Sequence, residues 1–310
     1  MRSHAEPSAA PSVIDLARYP LHRLDDPAYQ TLIEQCREKM SSGFAVLRDF
    51  VHAEAAERMA AEAIELEARG HGFYSTERHG IFLSESHGAP GTLPQRHPRR
   101  VIQSSSKRLF AADELSGASP LCTLYEWPPL LAFLRAVLSQ ELYLSADPMG
   151  AFYKNVYSVG DSLGWHFDNS KFSVSLILQP ADSGGDFEFA PGSRGAVETL
   201  AELPEDDQAC ASIRPSHLTR VLPHPSMSSH LVVCSPIRMQ VGEALGAVKP
   251  QLRAGDLYLF EGRNALHRVT PVRSGCRVNA ILTFNSTPGE VLNEYTRLKF
   301  FGRDLARQSQ

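Results

Sequence analysis

Long apolar runs and closely spaced cysteines are both missing from this chain. No apolar stretch approaches the roughly 20 residues that a helix needs to cross a bilayer. The segment Met1 to Tyr19 also lacks the continuous apolar core of a secretory signal, so we expect a cytoplasmic protein without a membrane span. The cysteines are odd in number and far apart, which fits neither a disulfide framework nor a cysteine-based zinc site. We interpret them as small apolar residues, and they are Cys36, Cys122, Cys210, Cys234 and Cys276.

The chain has no excess of positive charge either. It carries 31 basic and 35 acidic side chains, for a net charge of −4. Because no overall positive field exists to hold a polyanion, we expect no nucleic-acid partner. Hydrophobic residues make up 43% and charged residues 21% of the 310 positions, which excludes global disorder. This length allows two domains, although a single β-rich domain also reaches it.

Helical signals are concentrated in the N-terminal half. Residues 1–20 show no periodic apolar pattern and predict a mobile arm. Asp26 followed by Pro27 predicts the start of a helix, and Gly43 marks its end. We interpret residues 21–148 as a helical part of the domain. Its further predicted helices cover Ala53–Arg69 and Trp127–Leu142.

After residue 150 the pattern changes to short β-favouring runs separated by Gly, Pro, Asp and Ser. A series of this kind is typical of a sandwich or barrel. Residues 194–248 interrupt it with Pro, His and Ser clusters, and we expect a long insertion there. We predict one domain over residues 21–310, mainly β with flanking helices, with a β core at about 149–290. Its strands are predicted over Phe152–Val159, Phe172–Gln179, Asp186–Ala190, Asp256–Phe260 and Arg277–Asn285.

Three residues of the second half have the pattern of a metal site. His166 and Asp168 are two positions apart, so on an extended segment both side chains leave the same face of the chain. That pair is a weak signal by itself in a chain with 12 histidines, but His267 follows a later predicted strand. Two imidazoles and one carboxylate on one face of an octahedral ion favour ferrous iron and leave three positions open. We predict that these three residues are the catalytic metal ligands.

Arg277 is predicted to bind a co-substrate of that metal. It lies in a largely apolar strand, so we expect its guanidinium inside the barrel, where an unpaired charge is costly. The distal carboxylate of 2-oxoglutarate would satisfy it through a two-pronged charge-assisted contact. Asn279 shares the strand face of Arg277 and could donate a further hydrogen bond to that carboxylate.

Three polar residues alternate along the strand that precedes His166. Their alternation places all of them on one face, which is either a pocket wall or an ordinary solvated face. We include the first two among the predicted co-substrate contacts. The residues are Tyr153, Asn155 and Tyr157.

With these residues the second half of the chain resembles the iron(II)/2-oxoglutarate-dependent oxygenases, which are built on a double-stranded β-helix, or jelly roll. The resemblance covers roughly residues 150–290. A looser one, over about 90–290, is to the bacterial enzymes that halogenate or hydroxylate free amino acids, and the insertion at about 214–240 departs from that pattern. The looser resemblance is carried by Pro98–Arg100, Gln103, Gly164–Asp168, Leu176–Gln179, Gly184–Glu188 and Leu266–Val272.

The resemblance implies an enzyme that uses iron(II), 2-oxoglutarate and dioxygen and releases succinate and carbon dioxide. Halogenases of this kind have Gly or Ala in place of the metal-binding carboxylate, whereas Asp168 is present here. It therefore implies hydroxylation, or less often desaturation or ring closure. The implied substrate is a small polar molecule, a free amino acid or a close derivative.

Several alternatives stay open at this point. Two His and one Asp can also hold zinc in a hydrolase, although that reading leaves Arg277 without a role. A catalytically silent β-barrel binding module is a further alternative. The same oxygenase chemistry could act on a carrier-bound amino acid or a protein side chain, with the insertion as a docking surface. The basic cluster Arg96–Arg100 is either a solvated loop or a contact for a substrate carboxylate, and the subunit is either a monomer or a homodimer.

Overall fold

The computed structural model of the protein describes residues 12–83, 101–202 and 245–304. Its α-helices within these ranges are α1 (Pro27–Met40), α2 (Ala53–Ala68), α3 (Pro120–Glu126), α4 (Pro128–Leu138), α5 (Ser193–Glu202) and α6 (Glu294–Phe301). The strands of the same ranges are β1 (Phe44–Leu47), β2 (Phe73–His79), β3 (Gln103–Ala111), β4 (Tyr143–Leu144), β5 (Phe152–Tyr157), β6 (Leu163–His166), β7 (Ser173–Gln179), β8 (Ser183–Gly184), β9 (Phe187–Ala190), β10 (Leu257–Phe260), β11 (Leu266–Val269), β12 (Val272–Ser274), β13 (Arg277–Leu282) and β14 (Phe284–Asn285).

The predicted helices are present, and their ends follow from capping. The side chain of Asp26 accepts a hydrogen bond from the backbone N–H of Ala28, and Pro27 occupies the first turn of α1. Gly43, just beyond the helix, has a φ of +83°, a left-handed conformation that glycine adopts without a steric penalty. The helix predicted over Trp127–Leu142 is shorter than expected, since α4 ends at Leu138, and it is preceded by α3, which was not predicted.

Ten of the described strands form a large and a small antiparallel sheet, and the other four form two short pairs, β12-β8 and β14-β4. The large sheet has the order β1-β10-β7-β13-β5-β3-β2, and the small sheet has the order β6-β11-β9. Along the chain, β5, β6, β7 and β9 fall alternately in the large and the small sheet, and β10, β11 and β13 do the same. This alternation defines a double-stranded β-helix, so the predicted fold class is confirmed.

The two faces of the large sheet have different roles, as strand β5 illustrates. Phe152 and Val156 point outward and belong to the main apolar core, which the helices cover. Tyr153, Asn155 and Tyr157 point inward and line a cavity between the two sheets. The pocket interpretation of these three alternating residues is therefore the correct one.

The prediction of a mobile N-terminal arm is wrong for residues 12–20. Ile14 forms a bridge with Val51, and the hydroxyl of Tyr19 donates a hydrogen bond to the carbonyl oxygen of Arg48 at 2.6 Å. Both Ile14 and Tyr19 are buried. The segment is neither a helix nor a regular strand, so its apolar residues have no period from which their burial could be predicted.

The part predicted to be helical over residues 21–148 also contains strands of the large sheet. β2 pairs with β3, and β3 pairs with β5, so the two strands extend the sheet beyond the jelly roll. β3 begins Gln-Ser-Ser-Ser-Lys-Arg, which is polar on both faces. Because one of its faces lines the cavity rather than an apolar core, the alternation that usually identifies a strand is absent.

Some predicted features lie outside the described residues. They include the basic cluster Arg96–Arg100 and most of the insertion predicted over 194–248, of which α5 and residues 245–248 are described. Within the described ranges, no single helix is long and apolar enough to cross a membrane. Helices α3 and α4 meet that criterion only as a pair, across a bend of 56°.

Replacing Glu62 by Gln is expected to destabilise the fold. Lys154 on β5 is fully buried, and its ammonium donates to the Met59 carbonyl oxygen at 2.7 Å and pairs with Glu62 of α2. Glu62→Gln leaves the buried ammonium without its counter-charge, so the free energy of unfolding should fall by about 3 kcal/mol. Urea denaturation measures this loss as a lower midpoint at an unchanged m-value.

Glu65→Gln is the matched control on the same helix. Glu65 pairs with Arg69 at 3.6 Å, and both side chains are about two-thirds exposed. Its loss should change the free energy of unfolding by less than about 0.5 kcal/mol. Equal midpoints for the two variants would contradict the role given to Glu62.

Candidate metal centre

The three predicted metal ligands lie together on the small sheet. β6 ends at His166, Asp168 follows in the next turn, and His267 lies on β11 directly opposite His166 in the antiparallel register. The Nε2 atoms of both histidines lie 3.4 Å from Oδ1 of Asp168. All three ligand atoms are within 4.8 Å of one another. The structure therefore brings together residues that are far apart in the sequence.

Backbone hydrogen bonds fix the orientation of both imidazoles. Nδ1 of His166 donates to the carbonyl oxygen of Gly164, and Nδ1 of His267 donates to that of Ala265, each at 2.8 Å. Since a carbonyl oxygen only accepts, each Nδ1 must carry the proton. The lone pair of each Nε2 is then directed at the common centre, as in metal sites whose tautomers are set by outer contacts.

Asp168 is held by three contacts that leave Oδ1 directed at the histidines. The hydroxyl of Ser173 donates a short hydrogen bond to Oδ2, and the backbone N–H of Asp168 donates to the carbonyl oxygen of Gly262 at 3.0 Å. Gly262 also packs against the carboxylate, because a Cβ atom there would lie 2.2 Å from Oδ2. The absence of a side chain at position 262 is therefore a steric requirement of the site.

The protonation of the ligands also suits metal binding. Burial, with a contribution from the neighbouring His267, lowers the pKa of His166 to about 4. Burial by itself raises the pKa of the Asp168 carboxyl, but the His267 and His166 imidazoles beside it outweigh that effect and hold the pKa well below its usual value. At neutral pH the site thus offers a neutral imidazole from His166 and a carboxylate from Asp168.

Aromatic rings surround the inner side of the centre. The ring of Phe260 lies edge-on to His267 with a centroid distance of 4.8 Å, and the ring of Phe187 lies 6.0 Å from it. Both rings are buried in an apolar cluster between the sheets. Both rings also line the cavity, so they give the part of it beside His267 an apolar surface.

That cavity has a volume of about 150 Å³, and its lining includes the three ligands together with Arg277. Arg277 lies on β13 of the large sheet and is only 3% exposed. Its Nε and Nη2 atoms are buried without a hydrogen-bond partner among the described residues. An uncompensated guanidinium in such a position is costly, so this end of the cavity is built to receive an anion.

The polar residues beside Arg277 are Tyr157, Tyr258 and Ser175. Tyr157 is its cross-strand neighbour on β5. Burial raises the pKa of the Tyr258 hydroxyl, and the Arg277 guanidinium and the Ser175 hydroxyl beside it lower that pKa by less. Tyr258 therefore stays protonated and is available as a hydrogen-bond donor at neutral pH.

The three other predicted co-substrate contacts all line the cavity. The amide nitrogen of Asn279 donates to Oγ of Ser175 at 3.2 Å, and the amide oxygens of Asn279 and Asn155 have no described partner. Tyr153 lies further along β5, where its ring packs at 6.3 Å from Phe300 of α6. The role of Asn279, Asn155 and Tyr153 as co-substrate contacts stays a prediction.

Sequence analysis missed the residues that support the ligands. Ser173, Tyr258 and Gly262 were not singled out, and neither was His79, whose Nε2 accepts a hydrogen bond from Ser105 at 2.6 Å. Ser105 in turn accepts from the backbone N–H of Gly164, on β6 next to the ligands. Only Tyr258 had a signal, since it alternates with Phe260 on the strand that precedes His267.

Among known proteins, similarity to this chain was found only in solved structures. No family model matches the chain, and no curated protein matches it. The epimerase SnoN from nogalamycin biosynthesis, described as non-heme and alpha-ketoglutarate-dependent, is 16% identical over 81% of this chain and 80% of that one, with a TM-score of 0.47. A Pseudomonas putida prolyl-4-hydroxylase is 13% identical over 82% and 99% of the two chains, with a TM-score of 0.46.

HygX from Streptomyces hygroscopicus, solved with nickel and 2-oxoglutarate bound, is 16% identical over 82% of this chain and 87% of that one, with a TM-score of 0.45. At these identities the likenesses say nothing about the substrate of this chain. Its chemistry follows from the residues of the site. Two imidazole nitrogens and one carboxylate oxygen suit ferrous iron with three coordination positions open, and zinc can take the same donors.

Gly262→Ala is expected to weaken metal binding at least about tenfold, as does the loss of other outer contacts to metal ligands. The new Cβ would lie 2.2 Å from Oδ2 of Asp168 and would push the carboxylate out of position. Anaerobic calorimetric titration with Fe(II) measures the affinity. Gly117→Ala is the control, because a Cβ at Gly117 meets nothing within 4 Å. Equal Fe(II) affinity in the two variants would show that Gly262 does not position Asp168.

The metal-free protein is expected to lose stability as the pH falls from 6.5 towards 4. The pKa of His166 is about 4 in the folded chain and 6.5 without the fold, so between these values the unfolded chain binds a proton that the folded chain does not. The free energy of unfolding therefore rises with pH across this window. Urea titrations at several pH values measure the slope, and His166→Gln should reduce it. A slope unchanged by His166→Gln would contradict this assignment.

Proposed function

We propose that this protein is an iron(II)/2-oxoglutarate-dependent oxygenase that hydroxylates a C–H bond of a small polar molecule. The observation that carries the proposal is the buried guanidinium of Arg277, which opens into the same cavity as His166, Asp168 and His267. A metal site alone is compatible with several chemistries. A metal site that shares a cavity with a buried cation lacking an ion pair favours an anionic co-substrate.

The geometry of Arg277 suits a carboxylate. Its unpartnered Nε and Nη2 atoms lie on the same edge of the planar guanidinium, and that edge offers two parallel N–H groups. The neighbouring Tyr258 adds a neutral hydroxyl donor. A dicarboxylate that contacts this edge with one end can reach the metal ligands with the other, because both line the same cavity.

The proposal gives a role to each of the three metal-binding residues and to Arg277. His166, Asp168 and His267 hold the iron through Nε2, Oδ1 and Nε2, and Arg277 orients 2-oxoglutarate. When bound, the iron would activate dioxygen, with one oxygen atom entering a C–H bond of the substrate and the other entering succinate as 2-oxoglutarate loses carbon dioxide. Phe260 and Phe187 provide an apolar cavity surface beside His267.

The presence of Asp168 favours hydroxylation over halogenation. In the halogenases that the sequence resembles, the position of this carboxylate is vacated for chloride. Here the carboxylate is present, and Ser173 and Gly262 hold it in place. We propose a free amino acid or a close derivative as the substrate, supported by the sequence resemblance in the segments around the ligands.

Arg277→Met is expected to weaken 2-oxoglutarate binding about 10- to 100-fold, because charge-assisted hydrogen bonds are lost. Fe(II) affinity should be unchanged, since Arg277 does not contact the ligands. Anaerobic calorimetry on metal-loaded protein measures both constants. Arg273→Met, which removes an exposed arginine on the adjacent strand β12, is the control. An unchanged affinity for 2-oxoglutarate in Arg277→Met would refute this role.

Succinate formation tests the proposal as a whole. Protein loaded anaerobically with Fe(II) is given oxygen and 2-oxoglutarate, with and without each member of a panel of free amino acids. Stimulation by one member supports both the oxygenase chemistry and the substrate class. Absence of 2-oxoglutarate binding by iron-loaded protein would favour a zinc hydrolase or a binding module instead.

A further inference from the structure

One wall of the cavity is built by elements outside the jelly roll. β2 and β3 pair in a register that places Ser75 opposite Lys107 and Glu77 opposite Ser105, and all four side chains line the cavity. Helix α6 closes this wall from the C-terminal end of the described chain. We call the set the outer wall, and it consists of Ser75, Glu77, Ser105, Lys107, Lys299 and Phe300.

Glu77 is the acidic residue of the outer wall, and its carboxylate is already engaged. Its Oε2 atom pairs with the ammonium of Lys299 at 3.1 Å. Its Oε1 atom accepts a hydrogen bond from the hydroxyl of Ser75 at 3.2 Å. The charges of Glu77 and Lys299 therefore balance each other.

Lys107 has no such partner. Within the described residues, no carboxylate lies at ion-pair distance from its ammonium, which sits 5.9 Å from the ring centroid of Phe300. Burial lowers the pKa of Lys107 to about 8, so the amine still carries its charge at neutral pH. The Glu77 and Asp168 carboxylates partly offset this lowering, but neither forms an ion pair with the ammonium. A carboxylate bound in the cavity would therefore be its direct counter-charge.

The charges of the proposed co-substrate site balance among themselves and leave no anion for the Lys107 ammonium. Iron(II), the Asp168 carboxylate, doubly negative 2-oxoglutarate and the Arg277 guanidinium together balance to zero. Lys107 lies on β3, which is separated from the β13 strand of Arg277 by β5. Two strand spacings separate the two backbones by about 10 Å, so Lys107 and Arg277 line different parts of the cavity.

We propose that Lys107 binds a free carboxylate of the substrate. The inference rests on the proposed function and narrows its substrate class. A free amino acid presents such a group, whereas an amino acid joined to a carrier or to a peptide through its carboxyl carbon does not. The outer wall thus selects free acids and orients them towards the metal ligands.

The test compares free acids with their amides. Protein loaded with Fe(II) and saturated with 2-oxoglutarate is titrated anaerobically, by calorimetry, with the proteinogenic amino acids and with the α-amides of those that bind. Free acids should bind wild-type protein about 10- to 100-fold more tightly than the amides. Lys107→Met should abolish this preference, and Lys107→Arg should retain most of it.

Two controls separate this proposal from the proposed function. Lys171→Met removes an exposed lysine outside the cavity and should leave the preference unchanged. The affinity for 2-oxoglutarate should be the same in wild-type protein and in every lysine variant. If 2-oxoglutarate does not bind wild-type protein, the proposed function fails, and this inference fails with it.

Three results would overturn the role of Lys107 while leaving the oxygenase intact. The first is equal binding of acids and amides by wild-type protein that binds 2-oxoglutarate. The second is failure of every amino acid to bind such protein. The third is a loss of 2-oxoglutarate affinity in Lys107→Met, which would assign the lysine to the co-substrate.

Discussion

The antiparallel pairing of His166 with His267 is the contact on which the rest of the site depends. β6 and β11 place the two rings with their centroids 4.1 Å apart, and the turn after β6 brings Asp168 against both. Each ring is fixed by a hydrogen bond to the backbone two residues before it, so both tautomers are set by the strand itself. A slip of one residue in this register would turn one imidazole to the opposite face of the sheet.

The cavity is distinguished from the rest of the described fold by cationic side chains that have no ion pair. A folded chain generally pairs or exposes its cations, because a buried charge without a partner opposes folding. Lys154, also fully buried, follows that rule through Glu62, on the side of the large sheet that has a structural role. Arg277 departs from it on the side that lines the cavity, and Lys107 lines the same cavity without an ion pair among the described residues. The contrast between the two faces of one sheet is why we assign the second pair to ligands rather than to stability.

The most reliable predictions came from residue types with a specific structural or chemical role, such as helix capping or metal ligation. The Asp26–Pro27 pair predicted the start of α1, and the His166, Asp168, His267 and Arg277 pattern predicted which side chains would meet. β3 could not be predicted in the same way, because its cavity-facing residues are polar and conceal the alternation of a buried strand. Residues 12–20 were missed because their packing is irregular and depends on contacts with distant segments such as Val51.

The amino-acid sequence by itself determined the fold class, the starts of helices α1 and α2, and which three side chains meet at the candidate metal centre. Capping, periodicity and ligand chemistry are local properties of residue type. The tertiary structure alone decided which residues support those three side chains and which polar groups line the cavity. Gly262 matters because Asp168 packs against it, and Lys107 matters because Glu77 forms its ion pair with Lys299 instead. Such roles depend on contacts between residues that are far apart in the chain. Those contacts cannot be read from the sequence, because they form only when the chain folds.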